Sequence, residues 1–170
     1  MTPALAQPVT FDVNVLVAAV GGGAHAFWAW PSPPPLSGNV AANCIGIVND
    51  AQEFSLWLSP HVVMNLLKVL AALDWSEEKA LDYVRVLKEI ADRSGGGIVE
   101  PEISVDDCPD YEDNRILELA LASGSVLIVS NDADLLTMSP WRGIPIVSPR
   151  EFAARVDAMR RARRRRPHPG

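Results

Sequence analysis

The stretch Ser125-Val126-Leu127-Ile128-Val129-Ser130-Asn131-Asp132-Ala133-Asp134-Leu135-Leu136 decides the fold. An apolar run of strand length, opened by Gly124, ends in a hydroxyl, an amide and two carboxylates. Such a run predicts a strand buried on both faces, as in a parallel sheet. Its polar residues then fall at the strand's C-terminal end, where open α/β sheets place their ligands. The chain begins alike, for Val9-Thr10-Phe11-Asp12-Val13-Asn14-Val15-Leu16-Val17 sets an acid and an amide inside an apolar segment. A buried carboxylate is costly unless paired, hydrogen-bonded or metal-bound. Two such strand ends predict one shared acidic site.

A length of 170 residues fits one domain with a substantial core. Its 48% hydrophobic content argues against disorder. No apolar run approaches the roughly 20 residues that span a bilayer, so no membrane contact is expected. No Lys or Arg precedes Lys68, so the basic start of a secretory signal is missing. Cys44 and Cys108 lack metal-ligand spacing and read as reduced thiols of a cytoplasmic protein. The net charge of −6 conceals an asymmetry, because six arginines and no acid fall within residues 159–170. The body therefore sets nine basic groups against 21 acidic ones, and repels a polyanion unless cations intervene. The run Arg160-Arg161-Ala162-Arg163-Arg164-Arg165-Arg166 reads either as nonspecific attraction for nucleic acid or as a solvated terminus.

Residues 1–8 read as a flexible leader, residues 9–157 as the domain, and residues 158–170 as an Arg-rich tail. Strands are expected from Val9 to Val13, Phe54 to Leu58, Ile98 to Val99, before Ser130, and from Ile144 to Val147. Helices are expected between them. One starts near Asn14; the next opens at Ser59-Pro60, with a capping serine and a proline in the first turn. Another runs from Ser76 to about Ala91 and is ended by Gly95-Gly96-Gly97. A fourth spans about Asp110 to Ala122, and the last begins at Ser148-Pro149. Trp28 to Asn43, carrying Pro31, Pro33, Pro34 and Pro35, reads as a long irregular connection. On the helix after Pro60 the polar residues His61, Asn65 and Lys68 share one face. Alternation of strands with helices implies an α/β fold, three-layer α/β/α, with a central mostly parallel sheet.

Between Glu100 and Asp113 lie seven carboxylates, most of them readable as solvated loop charges. Asp110 and Asp113 also match a helix cap. Asp12, Asn14, Ser130, Asp132 and Asp134 each have a local reading, as caps or strand-end hydrogen-bonding groups. What raises Asp12, Asp113 and Asp132 above it is their origin at three separate strand–helix junctions. Oxygen ligands of this kind suit Mg²⁺ or Mn²⁺. His25, His61 and His168 are too far apart in sequence to form a zinc set.

These residues carry a resemblance. Asp12-Val13-Asn14-Val15-Leu16-Val17 resembles the opening Asp-x-Asn-x-Leu motif of PIN-domain ribonucleases. Cys108-Pro109-Asp110-Tyr111-Glu112-Asp113-Asn114, with Arg115-Ile116-Leu117-Glu118-Leu119-Ala120, is similar to that family's third acidic block. Val129-Ser130-Asn131-Asp132-Ala133-Asp134-Leu135-Leu136 resembles the fourth, where Ser or Thr precedes the acid by two. Ile144-Pro145-Ile146-Val147-Ser148-Pro149-Arg150-Glu151-Phe152 is similar to the closing strand and helix. The likeness runs in order over about residues 9–155, and is greatest with the toxin components of bacterial toxin–antitoxin pairs. It implies a PIN-like fold and metal-dependent endoribonuclease activity, with water as the nucleophile. On this resemblance Asp12, Asp113 and Asp132 are catalytic and hold Mg²⁺ or Mn²⁺, while Asn14, Asn65, Ser130 and Asp134 support them. It also implies an RNA substrate, an antitoxin partner that offers an arginine to the acids, and a homodimer.

One departure stands out. The family's Ser-Pro-x-x-x-x-Glu-Leu becomes Ser59-Pro60-His61-Val62-Val63-Met64-Asn65-Leu66, so an amide replaces a carboxylate. An amide oxygen still accepts hydrogen bonds but brings no charge. The alternative is therefore a catalytically weakened or inactive module that binds RNA or protein through Trp28, Trp30 and the Pro-rich loop, or through the arginines. Glu53 is a candidate replacement for the missing acid. A third reading, an aspartyl-nucleophile phosphatase, is disfavoured because Asn14 stands where that class has its second Asp.

Overall fold

Short apolar segments, each closed by a polar or turn residue, become strands that all run the same way. The computed structural model describes residues 5–21 and 38–166. In it β1 (Gln7–Phe11), β2 (Phe54–Leu58), β3 (Gly97–Ile98), β4 (Leu127–Val129) and β5 (Ile146–Val147) form one sheet in the order β3-β2-β1-β4-β5. Every pairing is parallel. Helices α1 (Val13–Ala18), α2 (Val40–Asp50), α3 (Pro60–Ala72), α4 (Glu77–Ser94), α5 (Tyr111–Ser123), α6 (Ala133–Leu136) and α7 (Pro149–Arg165) flank it, giving the expected three-layer α/β/α architecture. Central β1 pairs Val9 with Leu56 on one side and with Leu127 on the other. The chain steps from β1 to β2 in one direction and later adds β4 in the other. The topological switch, and its crevice, therefore lies between the ends of β1 and β4.

Val9, Phe11, Leu56, Leu58, Ile128 and Val129 are buried. Phe152 of α7 closes one side, edge-on to Phe11 at 5.5 Å and tilted against Phe54 at 5.1 Å. Several polar groups inside this core are paired, as burial demands, though the buried Trp57 indole N–H has no partner among the described residues. The Tyr83 hydroxyl donates to the Leu16 carbonyl at 2.6 Å, and the Thr10 and Ser125 hydroxyls meet at 2.8 Å. Ser59, Ser76 and Ser148 cap α3, α4 and α7, accepting from the backbone N–H of Val62, Lys79 and Glu151. Gly95 takes the left-handed conformation (φ 91°) that ends α4. Gly96 is glycine for another reason: a Cβ there would stand 1.9 Å from the Leu56 carbonyl oxygen.

Three boundaries differ from expectation. β1 begins inside the expected leader, with Gln7 and Pro8 paired to Phe54 and Ser55. Residues 40–43 of the expected Trp28 to Asn43 connection are the first turn of α2; Trp28, Trp30 and the prolines lie outside the described residues. Ala41 and residues 43–48 of α2 are buried, so this helix is enclosed on nearly every side and shows no amphipathic period. Its one local signal is Asn39, whose side chain accepts from the Ala42 N–H at 3.0 Å. Finally, α7 continues through Arg165, so most of the expected tail is helix. No helix among the described residues is long and apolar enough to cross a membrane.

Candidate functional site

The parallel sheet brings the ends of β1 and β4 side by side, and the Asp12 N–H donates to the Val129 carbonyl at 2.9 Å. Asp12 is the N-cap residue of α1, yet its side chain makes no capping hydrogen bond. Instead its Oδ2 accepts from the Ser130 hydroxyl at 2.6 Å. The same Ser130 oxygen accepts from the Asp132 N–H at 2.9 Å. One fully buried hydroxyl thus ties the acid of β1 to the acid beyond β4, which explains a serine two residues before Asp132. Asn14 adds a second tie, its Oδ1 accepting from the Asn131 N–H at 3.3 Å. Asp132 caps α6 through the Asp134 N–H at 2.8 Å.

The third acid arrives on α5. Asp110 caps that helix, its Oδ1 accepting from the Asp113 N–H at 3.0 Å. Asp113 is only 5% exposed, and its Oδ2 accepts from the Cys108 thiol at 3.6 Å. Asn114 grips Cys108 at both backbone groups, accepting from its N–H at 2.9 Å and donating to its carbonyl at 2.8 Å. Glu118 accepts from the Val105 N–H at 2.8 Å. Asp107 accepts from the Trp141 indole at 2.8 Å and from Arg142 at 3.1 Å, and those donors, the indole foremost, hold its carboxyl below the ordinary value. The loop is therefore pinned at Val105 and Cys108, while Glu100, Glu102, Asp106, Asp107 and Asp110 stay exposed as expected of solvated charges. Sequence reasoning missed these roles of Cys108, Asn114 and Glu118. Their one legible sign was the pair of polar residues four apart on an otherwise apolar helix face.

Carboxylate oxygens of Asp113, Asp132 and Asp134 all lie within 4.8 Å of one another. Asp134, expected only as support, belongs to this trio. Asp12 does not; it joins through Ser130 and through its field. Burial, and then the charges of Asp132, Asp12 and Asp110, push the Asp113 carboxyl up to about 6, against the Cys108 hydrogen bond. Burial also raises Asp12, with Asp132 adding to it and the Ser130 hydrogen bond opposing. Among the described residues no ion pair to Lys, Arg or His reaches any of these four acids. A crowded set of oxygen donors, with Asp113 and Asp12 raised by burial and further by neighbouring charge, fits a hard divalent cation.

Asn65 sits half-buried on α3, one turn beyond His61. His61 Nε2 meets Glu112 Oε2 at 2.6 Å, joining α3 to the first turn of α5. Glu53 is not a substitute for the missing acid. It precedes β2, at the opposite edge of the sheet, where Arg160 and Arg163 pair with it at 2.7 and 3.3 Å. Asn131, which precedes Asp132, also lines a cleft of about 770 Å³ together with Asn39, Val40, Ser148 and Arg150; none of the four acids lines it. His25 and His168 lie outside the described residues.

No curated protein matches this chain. The family model of the PIN domain, a nuclease-like domain that typically uses a divalent metal, matches residues 8–134, a span that contains all of β1 but its first residue, and all four acids. The chain belongs to the PIN-domain family.

Proposed function

We propose that this protein is a metal-dependent endoribonuclease, acting in the cytoplasm as the toxin of a toxin–antitoxin pair. The observation that carries this reading is the trio of carboxylates within 4.8 Å, crowded together with no cation from the described chain. Asp113, Asp132 and Asp134 would hold Mg²⁺ or Mn²⁺, and Asp12, tied to Asp132 through the Ser130 hydroxyl, would complete the site. Such an ion, when bound, lowers the pKa of a water and stabilises charge on the scissile phosphate. The chain's own part is orientation. Ser130 aims Asp12 while fixing the backbone of Asp132, Asn14 steadies the loop after β4, and Cys108 and Asp110 hold Asp113. Such outer contacts commonly govern metal affinity. The acidic body also needs a cation between itself and RNA, and Arg150 puts opposite charge at the cleft that Asn131 lines. An antitoxin that lays a helix over this edge and offers an arginine, and a homodimeric state, complete the proposal on family resemblance.

The test is cleavage of an RNA oligonucleotide in Mn²⁺ and in EDTA. Cleavage is expected in Mn²⁺ alone, and Asp12→Asn and Asp132→Asn should each cost more than the about 100-fold typical of an outer partner. Cleavage unchanged in both variants overturns the assignment. Asn65 favours a second reading, a module that binds RNA without cutting it. Mn²⁺-dependent RNA binding with no turnover would select that reading.

A further inference from the structure

Where α3 and α5 begin, one set of side chains is not used by the chemistry above. Tyr111, the first residue of α5, is 60% exposed and stands two residues before Asp113. The guanidinium of Arg115 lies over its ring, 4.5 Å from the centroid. Arg115 is itself held by Glu118 at 2.7 Å and by the Val105 carbonyl at 3.2 Å. The His61 ring, from the first turn of α3, meets Tyr111 edge-on at 5.9 Å and 72°, and His61 is held by Glu112. Two anchored neighbours thus fix the tyrosine ring while most of the residue stays open to solvent. A surface already immobilised loses little conformational entropy when something lands on it. Both supporting helices start at the C-terminal edge of the sheet, the edge that carries the acids.

We propose that Tyr111 is the stacking surface for an unpaired base of the RNA strand whose phosphate the acidic cluster engages. This deepens the nuclease reading and rests on it. Aromatic faces accept any base, because every base has a π-face. Arg115 covers one face of the ring, so one base fits. Base-paired RNA keeps its bases in the helical stack, whereas single strands and loops can splay one out. Single-stranded RNA or a loop can therefore present a base to this ring. Stacking also suits this site electrostatically, since it draws affinity from an uncharged group where the acidic body repels the backbone.

The experiment uses the full chain in Mn²⁺ with a single-stranded oligoribonucleotide carrying 2-aminopurine, whose fluorescence falls on stacking. Tyr111→Leu should raise KM about tenfold, lose the quench, and leave kcat and calorimetric Mn²⁺ affinity unchanged. Tyr111→Phe and Tyr111→Trp should keep both KM and quench, and a fully paired hairpin stem should compete poorly. Tyr111→Leu with wild-type KM and quench overturns the stacking role and leaves the nuclease reading standing. So does a Tyr111→Trp as poor as Tyr111→Leu, even if the leucine variant folds badly. A Tyr111-dependent quench without any cleavage keeps the stacking surface and removes the nuclease. No binding and no cleavage by the wild type removes both.

Discussion

At the N-terminal edge of the sheet the side chains of Asp50 and Glu53 are 2% and 3% exposed; at the C-terminal edge Asp12 and Asp113 are likewise buried, while Asp132 is half-buried and Asp134 exposed. Beside Asp50 and Glu53, however, α7 supplies the cations. Arg160 reaches Glu53 at 2.7 Å and Asp50 at 3.1 Å, and Arg163 reaches Glu53 at 3.3 Å. Burial works against the Arg160 charge, yet Glu53 and Asp50 outweigh it and hold its pKa above the ordinary value. At the other edge Asp12, Asp113, Asp132 and Asp134 gather with no such partner among the described residues, and Asp12 and Asp113 are raised instead. The contrast is instructive. Acids neutralised from within the chain join one element to another, whereas acids left facing one another keep a place for a cation from outside.

The comparison can be broken at its paired end first. Arg160→Ala strips two buried carboxylates of their main partner, and removing one member of a buried pair costs about 3–5 kcal/mol. For a chain of this size that lowers Tm by about 10 °C. A thermal melt that barely moves would mean these ion pairs contribute nothing to the fold.

The unpaired end predicts the opposite sign. Asp113 has a folded pKa of about 6 against 3.8 for the free side chain. The folded chain therefore binds a proton that the unfolded chain has released, and stability falls as pH rises from about 4 to about 6 and stays lower above. The sign of that pH dependence follows from the raised folded pKa by linkage. In EDTA at pH 7 Asp113→Asn should melt higher than the wild type, and the gain should vanish near pH 4. In Mn²⁺ the wild type should gain stability at pH 7 and much less at pH 5, where the proton competes. Calorimetric melts across that range check both, and a metal-free variant that melts lower at pH 7 breaks the contrast.

The smallest effect sharpens it. Asn65→Glu restores a carboxylate where family resemblance expects one, and should tighten Mn²⁺ about tenfold by calorimetry, with a lower metal-free Tm at pH 7 from added repulsion. Unchanged affinity would show that this face of α3 does not serve the ion.

Much of this was legible because it is local. The Ser59, Ser76 and Ser148 caps each act within three residues, and the apolar run before Ser130 announces a buried strand. Helix α2 was missed because enclosure on nearly every side removes the period that marks a helix. The tie from Glu53 to Arg160 joins residues 107 apart, and nothing in either neighbourhood predicts it.

By itself, the sequence determined the strand–helix alternation, the caps, and which acids end strands, since hydrophobic burial and short-range hydrogen bonds depend on neighbours in the chain. Only the tertiary structure decided that Asp134 completes the trio while Asp12 stands behind Ser130, and that Glu53 belongs to α7 rather than to the site. Which carboxylates meet depends on strand order and side-chain direction, and those follow from how the whole sheet packs.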